Sequence, residues 1–311
     1  MEGMSQAGNM QVFDRALLRR RRRRAAAGLG DHDFLFTEVA ARLRERLGEV
    51  QRSFSSVLEM GSRRPVIEDF SGKGGAMDRL VRSHFGGGDA AGSGAATPVT
   101  ALEADEEALP FAPDSFDLVV SNMALHWVND LPGCMIQVNR VLRPDGLFLA
   151  AMLGGETLKE MRAALMHGEM EVENGASPRV SPFADIRDIG NLLQRAGFAL
   201  PTIDRDEITV SYRDMFHLMH ELRGMGETNA VLARRKTTLR RDTLMAAARY
   251  YSDNFTAEDG PGDGEGDGRI TATFNVLYIT AWAPHPDQPQ PLKPGSATTR
   301  LADALGVTER K

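Results

Sequence analysis

The stretch ADEEALPFAPDSFDLVVSNMALHW, residues 104–127, decides the fold. Asp114 and Ser115 give a turn signal, and the apolar run over residues 116–121 predicts a buried strand that ends in polar residues. Another strand end lies before the turn, at residues 105–107. Ligands of open parallel sheets lie beyond the carboxyl ends of the strands, so both ends are predicted to border a pocket.

Strand and helix signals alternate around this stretch. Strands are predicted over residues 55–61, 99–102, 116–121 and 147–152, and helices over 34–47, 74–82 and 131–142, the last closed by a turn at 143–146. This alternation predicts a parallel sheet with helices on both faces.

The pattern changes after residue 152. Helices are predicted over residues 157–173, 183–196, 214–223 and 238–255, and strands over 202–212 and 270–282. We expect the two strands to pair antiparallel at the sheet edge. The chain then divides into a basic segment (1–30), one domain (31–283) with a helical lobe inserted at about 154–255, and a loosely ordered proline-rich tail (284–311).

Composition excludes several classes of protein. With 311 residues, 42% of them hydrophobic, and a formal net charge of −6, the chain can bury a large core and is no obvious nucleic-acid binder. Cys134 is the single cysteine, which excludes an intramolecular disulfide and a cysteine zinc cluster. No apolar run approaches the roughly 18 residues of a membrane span.

Two charged segments have competing interpretations. Residues 259–268 (DGPGDGEGDG) begin like a calcium loop, but Phe274 stands where the closing carboxylate belongs, which favours a solvated acidic hairpin loop. Seven arginines and no acid lie between Arg15 and Gly30. Such a segment is typical of an organellar transit peptide, which would mean a mitochondrial matrix protein, or of a site for anionic lipid or an acidic partner. A solvated basic helix fits equally well, and then the bacterial cytoplasm is expected.

Four elements resemble, in order and spacing, the class I S-adenosylmethionine-dependent methyltransferases of the type 11 kind. They are the strand ending at residues 59–61 (EMG), ADEEALPF (104–111), SFDLVVSNMALHW (115–127) and VLRPDGLFLAAM (141–152). Further motifs are similar to the family of the mitochondrial complex I assembly factor that hydroxylates an arginine. These are FDRALLRRRRRRAA (13–26), WVNDLPG (127–133), GGETLKEMRAAL (154–165), SPFADIRDIGNLLQRAGF (181–198), GMGETN (224–229) and RDTLMAAA (241–248). Malonyl-[acyl-carrier-protein] O-methyltransferase is a more distant resemblance.

The resemblance implies a Rossmann-like, seven-stranded and mostly parallel sheet with a C-terminal antiparallel hairpin and added helices. It implies an S-adenosyl-L-methionine-dependent enzyme, like the arginine hydroxylase, whose protein substrate is a quinone-module subunit of complex I and which contacts the inner membrane face peripherally. Two alternatives stay open: a methyltransferase for a small-molecule or acyl-carrier carboxylate, and a non-catalytic assembly chaperone with an eroded cofactor site.

The same resemblance implies the cofactor-binding residues Glu59, Gly61, Ser62, His84, Asp105, Glu106 and Asn122. Asp105 matches the acid that binds the adenine amino group. Arg63 and Pro65 stand where the family has its next two glycines, and Ser83 or His84 stands where an acid usually holds the ribose. Glycine at positions 63 and 65 is therefore expected to tighten cofactor binding.

Four residues are candidates for catalysis: Asn122, His126, Glu156 and Glu227. His126 has the side chain of a general base, although it can equally cap the pocket and pack with Trp127. Glu156 and Glu227 are carboxylates that can pair with a guanidinium, and Glu156 can equally begin a helix with Thr157 near the cap. No two histidines and a carboxylate have the spacing of an oxygen-activating metal site, so no metal is expected.

Overall fold

The computed structural model describes residues 11–61, 63–67, 77–87, 99–257 and 268–288. Ser62, most of the calcium-like stretch, most of the expected tail and the start of the helix predicted at 74–82 lie outside these residues. The strands are β1 (Ser56–Met60), β2 (Arg79–His84), β3 (Val99–Glu103), β4 (Phe116–Asn122), β5 (Leu142–Leu153), β6 (Ala199–Tyr212) and β7 (Ile270–Trp282). The helices are α1 (Arg15–Ala25), α2 (Phe34–Glu49), α3 (Leu131–Val141), α4 (Lys159–Glu173), α5 (Ile186–Arg195), α6 (Met215–Gly224) and α7 (Arg241–Asn254).

The strands form one seven-stranded sheet in the order β3-β2-β1-β4-β5-β7-β6. The first five strands pair in parallel, whereas β7 is antiparallel to both β5 and β6. The expected fold class and the C-terminal antiparallel hairpin are therefore confirmed. Because the parallel strands share one direction, β1 to β5 end at the same edge of the sheet, which is where the site lies.

Helices cover both faces of the sheet. Buried side chains of α2, α4, α6 and α7 pack together on one face, and those of α3 and α5 pack on the other. The apolar spacing in α2 explains its position, since Leu35, Phe36, Val39, Ala40, Leu43 and Leu47 all lie on its buried side. The lobe proposed at about 154–255 supplies α4 to α7 and also the edge strand β6.

Two local predictions are wrong. Residues 79–82, predicted to be helical, belong to β2, where Arg82 is buried and its Nε donates to the Glu59 carboxylate at 2.9 Å. A hydrophobicity pattern does not indicate a strand here, because the buried Arg82 is a charged residue. Residues 143–146, predicted to be a turn, lie within β5 as an irregularity opposite Phe116 and Leu118, and Asp145 has a φ of 62°.

Helix α1 packs across the carboxyl edge of the sheet. Asp14 caps it by accepting from the Leu17 backbone N–H at 2.9 Å. Leu18 is fully buried against Phe85 and Trp127. Part of the basic N-terminal segment is therefore integral to the fold. In the described ranges no helix has the length and apolarity needed to cross a membrane.

Candidate functional site

Side chains from three strand ends meet at the carboxyl edge. Gly61 follows β1 with a φ of 68°, a conformation that suits glycine. A Cβ on Gly61 would lie 2.4 Å from Ala124 Cβ and 2.9 Å from Glu106 Oε1. Glu106 follows β3, and Ala124 follows β4, so the three strand ends are in contact and Gly61 is required between them.

Arg15 of α1 binds the acids that follow β3. Its guanidinium donates to the carboxylates of Asp105 and Glu106, and its Nε lies 3.7 Å from Glu107 Oε1. The same guanidinium stacks 3.9 Å from the centroid of the Phe85 ring. One arginine thus fixes the loop that was expected to bind adenine, and α1 borders that part of the site.

Glu227 is the centre of a buried polar cluster. Its Oε1 accepts from Arg22 NH2 at 3.3 Å and from Arg63 NH1 at 3.1 Å. Its Oε2 lies 3.1 Å from His126 Nε2 and accepts from the Trp127 indole N–H. The Glu227 side chain is only 3% exposed. We call these five residues the Glu227 cluster.

The charges in this cluster follow from burial and pairing. Burial alone would raise the pKa of Glu227, but Arg22, His126 and Arg63 outweigh it and hold that pKa far below the usual range. Burial lowers the pKa of His126 although Glu227 opposes this. Burial, with the neighbouring Arg22, lowers the pKa of Arg63 to about 10. At neutral pH the cluster therefore contains two cations, one anion and a neutral imidazole.

A pH prediction follows from His126. The imidazole is neutral in the native state and regains its ordinary pKa of 6.5 on unfolding, so the unfolded chain binds an extra proton below that pH. Acid should therefore destabilise the protein. Urea unfolding from pH 7 to pH 5 should show a steeper loss of unfolding free energy for the wild type than for His126→Gln. Equal slopes would contradict the depressed pKa of His126.

A chamber of about 480 Å³ lies beside the cluster. Its wall is largely apolar and includes Leu35, Met123, Leu158, Met161, Phe183, Met219 and Phe274. Six cationic side chains also line it: Arg21, Arg179, Arg223, Arg234, Arg235 and Lys236. Glu227 is the one acidic side chain among its described lining residues. This volume is in the range of small-molecule binding sites.

The predicted catalytic residues do not all meet. His126 and Glu227 are hydrogen-bonded to each other, whereas Glu156 is exposed and does not line the chamber. Thr157 is not a helix cap, since its hydroxyl bonds to the Asn275 backbone and α4 begins at Lys159. Asn122 is fully buried and its Nδ2 donates to the Phe36 carbonyl at 3.0 Å.

The predicted cofactor residues lie around the carboxyl edge. The carboxylate of Glu59 is engaged within the protein, because it accepts hydrogen bonds from the Val66 backbone N–H and from Arg82. His84 ends β2 opposite Glu103 of β3 and is partly buried. The roles of these residues, like that of Ser62, remain proposals.

Sequence reasoning missed Arg22 and Arg63 as members of the site. Arg22 was one of seven arginines in a segment interpreted as basic, and Arg63 was considered only as a lost glycine. Their partner Glu227 lies 205 and 164 residues further along the chain. The one available signal was that FDRALLRRRRRRAA and GMGETN both resemble the same family.

The described residues at this edge fit S-adenosyl-L-methionine in their unpaired acceptors. The space beside Gly61 itself is filled by Glu106 and Ala124. Two buried acceptor atoms at this edge, Glu106 Oε1 and Asn122 Oδ1, have no hydrogen-bond partner within the described part of the chain. Unpaired buried acceptors are costly, which indicates a ligand that donates hydrogen bonds to them. Among the same residues no group of three His, Cys, Asp or Glu is placed to hold a metal.

Comparison with known proteins agrees with this geometry. A family profile described as a methyltransferase domain matches residues 82–150. Methyltransferases of this fold take the methyl group from S-adenosyl-L-methionine, which confirms the cofactor expected from the sequence. The malonyl-[acyl-carrier protein] O-methyltransferase of Methylovorus sp. is 33% identical over 284 residues, covering 88% of this chain and 90% of that protein.

Two vertebrate proteins are more similar. The mitochondrial arginine-hydroxylase NDUFAF5 of Danio rerio is 40% identical over 302 residues, covering 96% of this chain and 91% of that protein. The human protein of the same name is 38% identical over 309 residues, covering 97% of this chain and 85% of that protein. Similarity of this degree over nearly the whole of both chains means that the chain belongs to the NDUFAF5 arginine-hydroxylase family of methyltransferase-fold proteins.

Proposed function

We propose that this protein is an enzyme that modifies an arginine side chain of a protein during assembly of respiratory complex I. The observation that best supports this proposal is the position of Glu227, a buried carboxylate in the wall of a largely apolar chamber. A carboxylate binds a guanidinium through charge-assisted hydrogen bonds, and apolar walls suit the methylene stem of arginine. Arg22 and Arg63 of the same chain already occupy Oε1 of Glu227, so a substrate guanidinium would approach Oε2, where His126 and Trp127 lie.

His126 supports the same proposal. Its Nε2 bonds to Glu227, which as an ionised carboxylate only accepts, so the proton of the neutral imidazole is on Nε2. The other ring nitrogen, Nδ1, is buried and has no partner among the described residues. A neutral imidazole with an open nitrogen can accept a proton from a substrate in the site. Bound S-adenosyl-L-methionine supplies an electrophilic methyl group, while Glu227 and His126 orient the acceptor.

The substrate and location are part of the proposal. The relatives carry the name arginine-hydroxylase, which supports an arginine as the target. That this arginine belongs to a quinone-module subunit of complex I is what the resemblance of the sequence motifs implies. Arg20, Arg23 and Arg24 of α1 are exposed and suit peripheral contact with an anionic membrane face or an acidic partner. The contacts of Leu18 and Arg22 support retention of α1 in the working protein over its removal as a transit segment. We propose the bacterial cytoplasm as the location, with the mitochondrial matrix as the alternative.

A second candidate function is methyl transfer to an acyl-carrier carboxylate. It is favoured by the cationic lining of the chamber, where Arg21 pairs with backbone carbonyls of Thr228 and Asn229. Burial and the neighbouring Arg234 lower the pKa of Arg21, as expected for crowded cations that attract an anion. The 33% identical malonyl-[acyl-carrier protein] O-methyltransferase adds to this support.

The test is a mass-spectrometric product assay. The purified protein is incubated in air with S-adenosyl-L-methionine, a two-electron reductant and either quinone-module subunits of complex I or malonyl-acyl-carrier protein. The reductant is included because adding one oxygen atom from dioxygen consumes two electrons, whereas methyl transfer needs only the methyl donor. We expect a modified arginine in one subunit, and the mass distinguishes an added methyl group from an added oxygen atom. Met219→Trp, which fills the chamber, should slow the reaction about 100-fold by displacing the acceptor.

Ile136→Trp is the matched control, because Ile136 is 55% exposed on α3 and does not line the chamber. Its activity should equal that of the wild type. A methyl ester on malonyl-acyl-carrier protein, with every subunit arginine unmodified, would replace the arginine proposal by the second candidate.

A further inference from the structure

A second cavity adjoins the chamber. It is a surface groove of about 540 Å³, and Arg179 and Val180 belong to the linings of both cavities. An arginine that is part of a protein enters the chamber as a side chain, so the polypeptide on either side of it has to lie on the surface outside. The groove is a place on that surface where the polypeptide can bind.

Much of the lining of this groove is apolar. Helix α4 contributes Met166 together with Arg162, and the apolar residues Val180, Val231 and Ala233 come from loops outside that helix. Met166 is 54% exposed, although methionine is usually buried. Scattered exposed apolar side chains need no explanation, but apolar side chains grouped along a concave surface are typical of interaction sites.

The charge of the groove indicates an acidic partner. Arg179 NH2 lies 2.6 Å from Glu169 Oε1, so this arginine is neutralised within the protein. Arg162 has no carboxylate partner within the described ranges, and its NH2 donates only to the carbonyls of Thr157 and Ser181, at 3.5 and 3.4 Å. No acid is among the described lining residues. An acidic side chain in the groove would give Arg162 a charged partner through charge-assisted hydrogen bonds.

The wall of the groove is fixed by hydrogen bonds within the protein. The Glu169 side chain, which is 1% exposed, accepts from the Ser177 backbone N–H and from Arg179 Nε, both at 2.7 Å. Asn229 Nδ2 donates to the Pro178 carbonyl at 2.7 Å. A site that is already ordered loses little conformational entropy when a segment of a partner binds to it.

We propose that this groove binds the substrate protein beside its modified arginine, with an acidic side chain of that protein on Arg162 and an apolar one on Met166 and Val231. The inference rests on the proposed function, because it takes the chamber as the site of the arginine. Side chains two residues apart in an extended segment point to the same side, so two of them can enter one groove together. The groove then selects the arginine by its neighbours, whereas the chamber recognises its guanidinium.

Surface plasmon resonance of the full chain on immobilised quinone-module subunits of complex I measures this binding without turnover. Loss of a charge-assisted hydrogen bond predicts that Arg162→Met weakens binding of one subunit about 10- to 100-fold. Met166→Glu should also weaken it, because it removes an apolar contact and places an acid beside an acidic partner. Arg162→Lys keeps the charge and should restore part of the loss.

Met170→Glu is the matched control for Met166→Glu. Met170 lies one turn further along α4, is 53% exposed and lines neither cavity. This variant should bind the subunit within about twofold of the wild type. Thermal unfolding checks that each variant is folded.

N-acetyl-argininamide separates this inference from the proposed function, because it has the guanidinium without neighbouring residues. In the product assay, Arg162→Met and Met166→Glu should each lower kcat/KM for the subunit, relative to kcat/KM for N-acetyl-argininamide, by about 10-fold or more. Equal losses for the two substrates would mean that these residues do not contact the neighbours of the arginine, and would overturn the inference.

The inference is also overturned if both variants bind the subunit as the wild type does, or if the wild type binds no subunit. Modification of N-acetyl-argininamide by the same protein would then leave the proposed function standing. A subunit that binds through the groove but acquires no modified arginine would overturn the proposed function and retain the groove as the docking site. Self-association of the wild type that Met166→Glu abolishes, measured by analytical ultracentrifugation, would assign the groove to a second copy of this chain instead.

Discussion

Replacing Glu227 with glutamine is expected to lower the free energy of unfolding by about 3–5 kcal/mol, because it removes the one anion of a buried ion-pair cluster. Arg22 and Arg63 would then be buried without a counter-charge, and His126 and Trp127 would lose a charged acceptor. Urea unfolding measured by circular dichroism gives the change directly. The substitution preserves the shape of the side chain, so lost packing does not contribute.

A triple variant that removes the cations as well as the anion shows whether unpaired charge causes the loss of stability. Glu227→Gln combined with Arg22→Met and Arg63→Met removes the cations together with the anion, and buried ion pairs replaced by apolar side chains are often no less stable. We expect the triple variant to regain most of the lost stability. Glu156→Gln, at an exposed acid, should leave stability within about 0.5 kcal/mol of the wild type. A small effect of Glu227→Gln, or no recovery in the triple variant, would contradict the charge balance deduced for the cluster.

Most of the sheet was predictable because its strands carry continuous apolar runs. β4 contains Leu118, Val119 and Val120, all fully buried, and parallel strands covered on both faces have this composition. β7 is similar over residues 276–279, and its partner β6 shows the alternation of an edge strand. The strand β2 escaped prediction because Arg82 is buried on it, paired with Glu59 from the neighbouring strand. Hydropathy describes side chains one at a time, whereas burial of an ion pair depends on both partners.

The site was predictable only where one segment carried the signal. His126, Glu227 and Gly61 stood out because each lies in a recognisable motif. Arg22 and Arg63 did not, since burial of a guanidinium depends on a carboxylate more than 160 residues away in sequence and on a helix that crosses the strand ends. Glu156 is a different case, because it follows a strand end close in sequence to the site but does not line the chamber. Its side chain is exposed.

Gly61→Ala should cost stability and cofactor affinity together. A φ of 68° costs an L-residue about 1–2 kcal/mol, and a Cβ at 2.4 Å from Ala124 Cβ adds about 1–3 kcal/mol of overpacking. We expect unfolding free energy to fall by about 2–5 kcal/mol in urea titrations. The new methyl group would also press on Glu106 Oε1, one of the two unpaired acceptors at this edge, so S-adenosyl-L-homocysteine binding should weaken.

A double variant separates the two contributions to the lost unfolding free energy, the strained backbone conformation and the overpacking. Ala124→Gly removes the atom that the new Cβ meets, so Gly61→Ala with Ala124→Gly should recover the packing part and retain the backbone part. Gly48→Ala is the matched control, because its Cβ would meet nothing within 4 Å in α2. It should stabilise the protein by up to about 1 kcal/mol, the difference in helix propensity. If Gly61→Ala were as harmless as Gly48→Ala, the three strand ends would not be in contact. Recovery of stability without recovery of ligand affinity would assign the two effects to different atoms.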